Sequence, residues 1–448
     1  MDTIVKNVRY LDAGVWLEGE LGIEGERIAA IGETVAGKAA QVVDGGGRYC
    51  LPGAVDLHVH FNEPGRTHWE GFASGSAAAA AGGTTYVAEM PLNSIPSTTS
   101  VEALETKRRA IREKSWIDYG LWGGIVPGNA EHLQALAEAG VMGFKAFLVP
   151  SGTEEFAYSD PATLRVAMER IARTGLRLAL HAEDPDELRK AEAGLARKKT
   201  AADWEASRPV ASELSAVRSA LEIAGETGCP VTIVHVSAPE VVHLIREASF
   251  AGADVRCETC AHYLLLSLED AERIGPNAKC APPLRPRQTV AALWKTLLKE
   301  EIDTLGSDHS PCPPELKTGM TFYDAWGGIA GVQHGLMGVI DHIGFGNPDA
   351  MEKLCRSFAK RPSEAAGLQR KGELRVGADA DFLLVEGIDP PAPVREDHLL
   401  SRHSGSPYLG KALGLRVIGT WLRGKVVFRD GSLCGQPRGR FLPGAVVS

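Results

Sequence analysis

Several features that would assign the chain to other protein classes are absent from its 448 residues. No apolar run is long enough to cross a membrane, and no basic start is followed by an apolar stretch, so we expect neither a membrane span nor a signal peptide. An excess of positive charge is also absent: the net charge of −9 disfavours a nucleic-acid or anionic-membrane partner. Charged residues still make up 23% of the chain, which is typical of a soluble globular protein.

A disulfide framework is missing as well. The eight cysteines are irregularly spaced in a long chain, which excludes the pattern of small disulfide-stabilised proteins. Cys257-Glu-Thr-Cys260 is formally a C-x-x-C pair, but no second pair completes a zinc site and the context is not thioredoxin-like. We therefore expect reduced thiols and a cytoplasmic location.

The dinucleotide-binding glycine pattern is also absent. Gly45-Gly46-Gly47 and the pair Gly82-Gly83 do not follow the G-x-G-x-x-G spacing between a strand and a helix. This argues against a nucleotide cofactor.

The two ends of the chain have the same sequence pattern. Short β-like runs separated by glycine and acidic turns fill residues 1–52, and similar runs recur at 381–385, 415–421 and 425–428. Neither end has enough strands for a stable core of its own. We expect residues 1–52 and 355–448 to form one small composite β-sandwich domain, in which the N-terminal strands form an antiparallel sheet.

The middle of the chain alternates apolar strand segments with helical segments. The predicted strands are 54–60, 84–90, 117–123, 143–148, 177–181, 231–236, 254–259 and 304–307. Alternation of this kind favours parallel strands joined by right-handed crossovers. A (β/α)8 barrel over residues 53–354 fits best, and a doubly wound open sheet is the alternative.

The ends of five of these strands carry an unusual set of side chains. They are His58, His60, Lys145, His181, His235 and Asp308. A single histidine at a strand end is more often structural than a ligand, and a single lysine in an apolar strand is usually a buried ion pair or a sign that the segment is not a strand. A barrel, however, brings all its strand ends to one active-site face. Four histidines and a carboxylate there favour a site for Zn²⁺, Co²⁺, Mn²⁺ or Fe²⁺.

Lys145 needs a separate explanation, because an ammonium group would repel divalent cations. Burial and neighbouring positive charge both lower a lysine pKa. A neutral amine can add carbon dioxide and become a carbamate, an anionic ligand able to bridge two metals. The spacing of residues alone leaves this open.

Five segments carry a resemblance to a known family. They are His-Val-His-Phe-Asn-Glu-Pro-Gly at 58–65, Met-Pro-Leu-Asn-Ser at 90–94, Gly-Phe-Lys-Ala-Phe at 143–147, His-Ala-Glu at 181–183 and Gly-Ser-Asp-His-Ser-Pro at 306–311. In these segments and in its split β-domain, the chain resembles the cyclic amidohydrolases of the amidohydrolase superfamily.

The resemblance implies a binuclear metal centre in a (β/α)8 barrel. His58, His60 and Asp308 would hold one metal, and His181 and His235 the other. Lys145, as N6-carboxylysine, would bridge two divalent ions, zinc foremost, with cobalt, manganese or iron as alternatives. A homotetramer is also implied.

Within that group the chain most resembles the allantoinase family, which implies allantoin as substrate. The segments at 62–67, 90–94 and 326–333 carry this match. Dihydroorotases, whose substrate has a free carboxylate, instead have arginine, asparagine and histidine at the positions of Asn62, Ala281 and Cys312. An arginine fork suits a carboxylate, whereas asparagine suits a neutral ureide.

Two other functions stay open. Hydantoinases or dihydropyrimidinases fit Glu63-Pro64-Gly65 less well, and a non-catalytic scaffold on the same fold is the remote alternative. We expect Asp308 to act as base and then acid in hydrolysis, and Asn62, Asn93 and Ser310 to hold the substrate.

Overall fold

Residues 1–444 of a computed structural model are described. In chain order, the strands are β1 Thr3–Asp12, β2 Val15–Glu24, β3 Arg27–Gly32, β4 Gln41–Pro52, β5 Ala54–Val59, β6 Thr84–Glu89, β7 Asp118–Leu121, β8 Gly123–Gly124, β9 Phe144–Phe147, β10 Leu178–His181, β11 Val231–Ile233, β12 Val255–Cys260, β13 Thr304–Gly306, β14 Phe382–Pro393, β15 Ala412–Leu422, β16 Lys425–Arg429 and β17 Ser432–Leu433.

Helices separate the central strands. They are α1 Phe72–Ala81, α2 Val101–Ile111, α3 Leu133–Glu138, α4 Pro161–Ile171, α5 Pro185–Ala193, α6 Ala201–Ser207, α7 Val210–Thr227, α8 Pro239–Phe250, α9 Ala261–Leu265, α10 Leu268–Ile274, α11 Arg287–Leu298, α12 Gly335–Ile343, α13 Pro348–Cys355 and α14 Arg361–Ala365. In the part of the chain that the structure describes, no helix is both long and apolar enough to cross a membrane.

Both ends of the chain join in one eight-stranded sheet, in the order β17-β16-β15-β14-β4-β1-β2-β3. The two ends meet where β14 pairs antiparallel with β4, with Phe382 opposite Pro52. The expectation that the N-terminal strands form an antiparallel sheet was wrong in one respect, because β1 and β4 run parallel. The connection after β3 returns the chain to the start of β1, so Thr3 faces Gln41 in the register.

The central strands form two parallel sheets. One has the order β13-β12-β11-β10-β9-β8, and the other has the order β5-β6-β7. The eight predicted strands are all present, with the third divided into β7 and β8. Strand order follows chain order in both sheets, so the reversal that defines a doubly wound sheet is absent from residues 1–444.

Local sequence explains where the crossover helices begin and end. The side chain of Asp160 accepts a hydrogen bond from the amide of Thr163 and caps α4, whose first residue is Pro161. Helix α7 ends at Gly228, which takes the left-handed conformation at φ 69°. Because consecutive strands are parallel, their C-terminal ends lie on one side of each sheet, where the predicted ligands lie.

Candidate metal centre

Three predicted ligands meet at the C-terminal ends of the strands. His58 lies within β5 and His60 directly follows it, so the alternation of a strand sends both imidazoles to one side. Asp308 follows β13, and its Oδ1 lies 3.2 Å from Nε2 of His58 and 3.2 Å from Nε2 of His60. Ligand atoms of the three residues lie within 4.8 Å of one another. They form a donor set that fits around a single cation.

Two more histidines extend this cluster. His181 ends β10, and His235 follows β11. The ring centroids of His181 and His235 lie 4.6 Å apart, and those of His58 and His235 lie 5.5 Å apart. The four predicted histidine ligands line one cavity together with Asp308. The fold therefore brings together the predicted imidazoles and the predicted carboxylate.

Two of these residues have a left-handed backbone. His235 has φ 42° and Asp308 has φ 44°, in a region that residues other than glycine seldom adopt. Such a conformation costs on the order of 1–3 kcal/mol and is concentrated at functional sites, where the surrounding structure enforces it. Both residues lie just after a strand, at the turn into the loops that border the cavity.

Lys145 is a buried amine without a partner. It lies in β9, its side chain is fully buried, and its Nζ has no hydrogen-bond partner within residues 1–444. Burial lowers the pKa of Lys145 to about 8, against the opposing negative charges of Asp308 and Glu258. At neutral pH a larger fraction of this amine is neutral than in an ordinary lysine, which favours the addition of carbon dioxide considered in the sequence argument.

Buried carboxylates orient two of the imidazoles. Nδ1 of His58 lies 2.7 Å from Oε1 of Glu258, and Nε2 of His181 lies 2.6 Å from Oε2 of Glu183. Arg208 in turn forms an ion pair with Glu183. An imidazole that donates one N–H to a carboxylate presents its other nitrogen as a ligand. His58 thus offers Nε2 and His181 offers Nδ1.

Charge pairing keeps two carboxylates of the site ionised. Burial opposes ionisation of Glu183, but Arg208 and His181 outweigh it and lower the pKa to about 2. Burial likewise opposes ionisation of Asp308, yet His58 and His60 hold its pKa well below the usual range. Asp308 is therefore an anion at neutral pH, as a ligand or proton acceptor must be.

The donor set fits divalent transition metals. Nδ1 of His60, Nδ1 of His235 and Nζ of Lys145 are buried without hydrogen-bond partners in residues 1–444. Buried polar atoms are rarely left unpaired without a reason. Burial also lowers the pKa values of His58 and His235, which favours the neutral form that a metal ligand needs. Neutral imidazoles and a carboxylate suit zinc, cobalt, manganese and iron.

The cavity beside the histidines has a volume of about 180 Å³. Asn93 and Ser310 line it, as expected of substrate-binding residues. Asn62 is not among the lining residues: it is fully buried, and its side-chain amide donates to the carbonyl of Pro311 at 3.4 Å. Asn62 therefore braces the loop that carries Ser310 and does not itself face the cavity.

Several groups at the site were not predicted from sequence. Glu258 orients His58, Arg208 holds Glu183, and Trp204, Lys279 and Trp326 form part of the cavity wall. Glu258 lies near the end of the predicted strand 254–259, where a carboxylate was a usable signal. The other residues lie on helices and loops, and their sequence surroundings give no indication that they face the cavity.

Comparison with known proteins bears out the resemblance. The sequence model of the amidohydrolase family matches residues 49–427 of this chain. An allantoinase of Rubrobacter xylanophilus is 45% identical to this chain, over 98% of this chain and 97% of that protein. An allantoinase of Deinococcus radiodurans is also 45% identical, over 94% of each chain.

Solved structures match over the whole chain. The L-hydantoinase (dihydropyrimidinase) of Arthrobacter aurescens superposes with a TM-score of 0.94 at 33% identity, covering 99% of both chains. The dihydropyrimidinase of Brevibacillus agri superposes with a TM-score of 0.89 at 25% identity, covering 100% of both chains. Family model, relatives and fold agree, and the chain belongs to the amidohydrolase family.

Proposed function

We propose that the protein is an allantoinase, which hydrolyses the cyclic amide of the hydantoin ring of allantoin and releases allantoate. The observation that carries this proposal is the 45% identity to curated allantoinases over nearly the whole chain. The cavity lined by the histidines and Asp308 supports the reaction class.

We propose that the site holds two divalent metal ions, zinc foremost. His58, His60 and Asp308 would hold one ion, His181 and His235 the other, and Lys145 would bridge them as a carbamate. Support comes from the unpartnered amine of Lys145 and from the neutral imidazoles around it. When bound, such ions make water a stronger acid and polarise a carbonyl group.

In this mechanism Asp308 moves the proton. Its carboxylate accepts a proton from the attacking water, whose oxygen forms a bond to the ring carbonyl carbon. The C–N bond then breaks, and Asp308 returns the proton to the departing ring nitrogen. The products are a ureido NH2 group and a carboxylic acid, which releases its remaining proton to solvent and becomes a carboxylate, so atoms and charge balance.

Substrate binding falls to residues that line the cavity. We propose that Asn93 and Ser310 hydrogen-bond the ureide, because an amide and a hydroxyl can both donate and accept. Asn62 supports this contact indirectly, through its bond to the carbonyl next to Ser310.

The second candidate is a hydantoinase or dihydropyrimidinase, favoured by the TM-score of 0.94 to the Arthrobacter enzyme. A dihydroorotase fits less well. Its substrate carboxylate needs a free cation, but the two cationic side chains lining the cavity are already engaged. Arg208 pairs with Glu183, and Lys279 donates to main-chain carbonyls.

We also propose that the central strands close into a (β/α)8 barrel over 53–354, beside a β-sandwich domain built from 1–52 and 355–448. Isolated parallel bridges from Val59 to His309, and from His309 to Ile329, support closure between the first and last strands. A cytoplasmic location, inferred from the cysteines, and a homotetramer, implied by the resemblance, remain predictions.

The test is steady-state hydrolysis of allantoin beside dihydroorotate, hydantoin and dihydrouracil by metal-reconstituted protein. We expect kcat/KM for allantoin to exceed the others by orders of magnitude. If hydantoin or dihydrouracil leads, the reaction class stands but the substrate assignment is wrong. If purified protein neither retains divalent metal nor hydrolyses any of the four, it is a scaffold.

A further inference from the structure

Two lysines near the cavity are buried but do not pair with carboxylates. Lys279 is 4% exposed and Lys317 is 8% exposed. Among residues 1–444, neither ammonium group forms an ion pair, and both donate to main-chain carbonyl oxygens. Buried lysines are rare unless their charge is compensated, so these two call for an explanation.

Lys279 reaches across the cavity wall. Its Nζ donates to the carbonyls of Tyr323 and Ala325, the latter at 2.7 Å. The same Nζ lies 4.0 Å from the ring centroid of Trp204, a cation–π contact. The ammonium group of Lys279 thus contacts two carbonyls of one segment and the ring of Trp204 in another.

Lys317 makes the complementary connection. Its Nζ donates to the carbonyl of Pro276 at 2.8 Å and to that of Gly328 at 2.7 Å. The amide of Gly328 also donates to the carbonyl of Lys279 at 2.8 Å. Residues 323–328 are therefore bonded at both ends to the segment around 276–279. We call residues 323–328 the clamped segment.

The clamped segment forms one wall of the substrate cavity. Trp326, Gly327 and Gly328 line that cavity together with the histidines. A regular helix or strand is absent from residues 323–328, so no hydrogen-bond ladder of its own holds this wall. The amides of Tyr323, Ala325 and Trp326 donate to the carbonyls of Lys199, Thr321 and Leu316, and the bonds from the two lysines are the side-chain contribution to holding this wall.

We propose that Lys279 and Lys317 are positioning residues that hold the clamped segment against the cavity and so set the room for the ring substituent of the substrate. This inference rests on the proposed function, since allantoin differs from hydantoin by a ureido group on the ring. A wall that moves would change binding of the substituted ring more than the chemistry at Asp308.

The charge states of Lys279 and Lys317 are consistent with their role as hydrogen-bond donors to the clamped segment. Burial, aided by the charges of Arg208 and Lys317, lowers the pKa of Lys279 to about 8. Burial lowers the pKa of Lys317 to about 8 as well. Both groups are therefore mainly ammonium ions at neutral pH, and they donate the hydrogen bonds to the carbonyls.

The test uses Lys317→Met and Lys279→Met, with exposed Lys295→Met as the matched control. We expect KM for allantoin to rise about ten-fold or more in the first two, the loss expected when a hydrogen bond to a charged group goes unmade. We expect kcat to stay within about two-fold and KM for hydantoin to change less. Equal KM values in variants and control would overturn the proposal.

A second readout does not depend on activity. Hydrogen–deuterium exchange at the amides of residues 323–328 should accelerate in both methionine variants and stay unchanged in Lys295→Met. If exchange accelerates but the wild-type protein does not act on allantoin, the clamp stands and the proposed function fails. If exchange is unchanged, the clamp is refuted whatever the substrate. Should Lys317→Met fail to fold, Lys317→Gln, which retains a donor, undergoes both measurements.

Discussion

Removal of the Glu258 carboxyl tests how the protein prepares His58 to bind metal. Nδ1 of His58 lies 2.7 Å from Oε1 of Glu258, and both side chains are buried. Glu258→Leu removes the acceptor at similar volume, which leaves a buried N–H unpaired and the ring free to rotate. Glu258→Gln keeps an oxygen that can accept the same hydrogen bond.

The size of the effect follows from this geometry. Loss of a partner that orients a ligand typically costs 10- to 100-fold in metal affinity, which corresponds to about 1.4–2.8 kcal/mol. We expect Glu258→Leu to fall in that range. The oxygen of glutamine can accept from Nδ1 of His58 at the position of Oε1, so this variant loses the charge of the acceptor but keeps the hydrogen bond. We therefore expect Glu258→Gln to lose only a few-fold.

The assay is competition for zinc against a chromophoric chelator at neutral pH, followed by activity on allantoin. Exposed Glu269→Leu is the matched control and should bind zinc like the wild type. Circular dichroism and thermal melting establish that each variant is folded. A folded Glu258→Leu that binds zinc within about two-fold of wild type would refute the argument that this hydrogen bond orients His58.

Lys145→Ala should lose bound metal and activity, and added propionate should restore part of both; a fully active variant with two metals would exclude the carbamate. Asp308→Asn should lower kcat by about 100-fold or more with little change in melting temperature, whereas unfolding would make Asp308 chiefly structural. Burial opposes ionisation of Asp118, but Lys371, 2.8 Å away, and Arg423 hold its pKa below the usual range. The contribution of this carboxylate to the free energy of unfolding is thus fully present above about pH 4 and is lost as the pH falls below that value. Asp118→Asn should lower the free energy of unfolding by about 3–5 kcal/mol at pH 7. Between pH 5 and 3 the free energy of unfolding of this variant should fall less than that of the wild type. Parallel pH profiles of the two proteins would contradict this.

Much of the site could be predicted from local sequence. Alternation along a strand puts His58 and His60 on one side, and parallel strands bring their C-terminal ends together. Alternation needs only the neighbouring residues, and the strands it predicts are present. The approach of Asp308 to the two histidines depends on the barrel fold, which was expected from the order of the strands and from the family resemblance. The family resemblance was likewise visible in short segments, and comparison with known proteins agrees with it.

What only the tertiary structure decided involves residues far apart in the chain. Glu258 lies 200 residues from His58, and no local pattern indicates that the two are hydrogen-bonded. Asn62 lies only two residues after His60, yet packing turns its amide toward Pro311 and away from the cavity.

The wall built by Lys279 and Lys317 is another such case. Whether a lysine is buried, and which carbonyls accept its hydrogen bonds, depends on how loops from distant segments pack. Sequence patterns determine which face of a strand is apolar and where that strand ends. The partners of a polar side chain are set by the three-dimensional approach of other segments, because burial makes each unpaired donor costly and the fold supplies the acceptor.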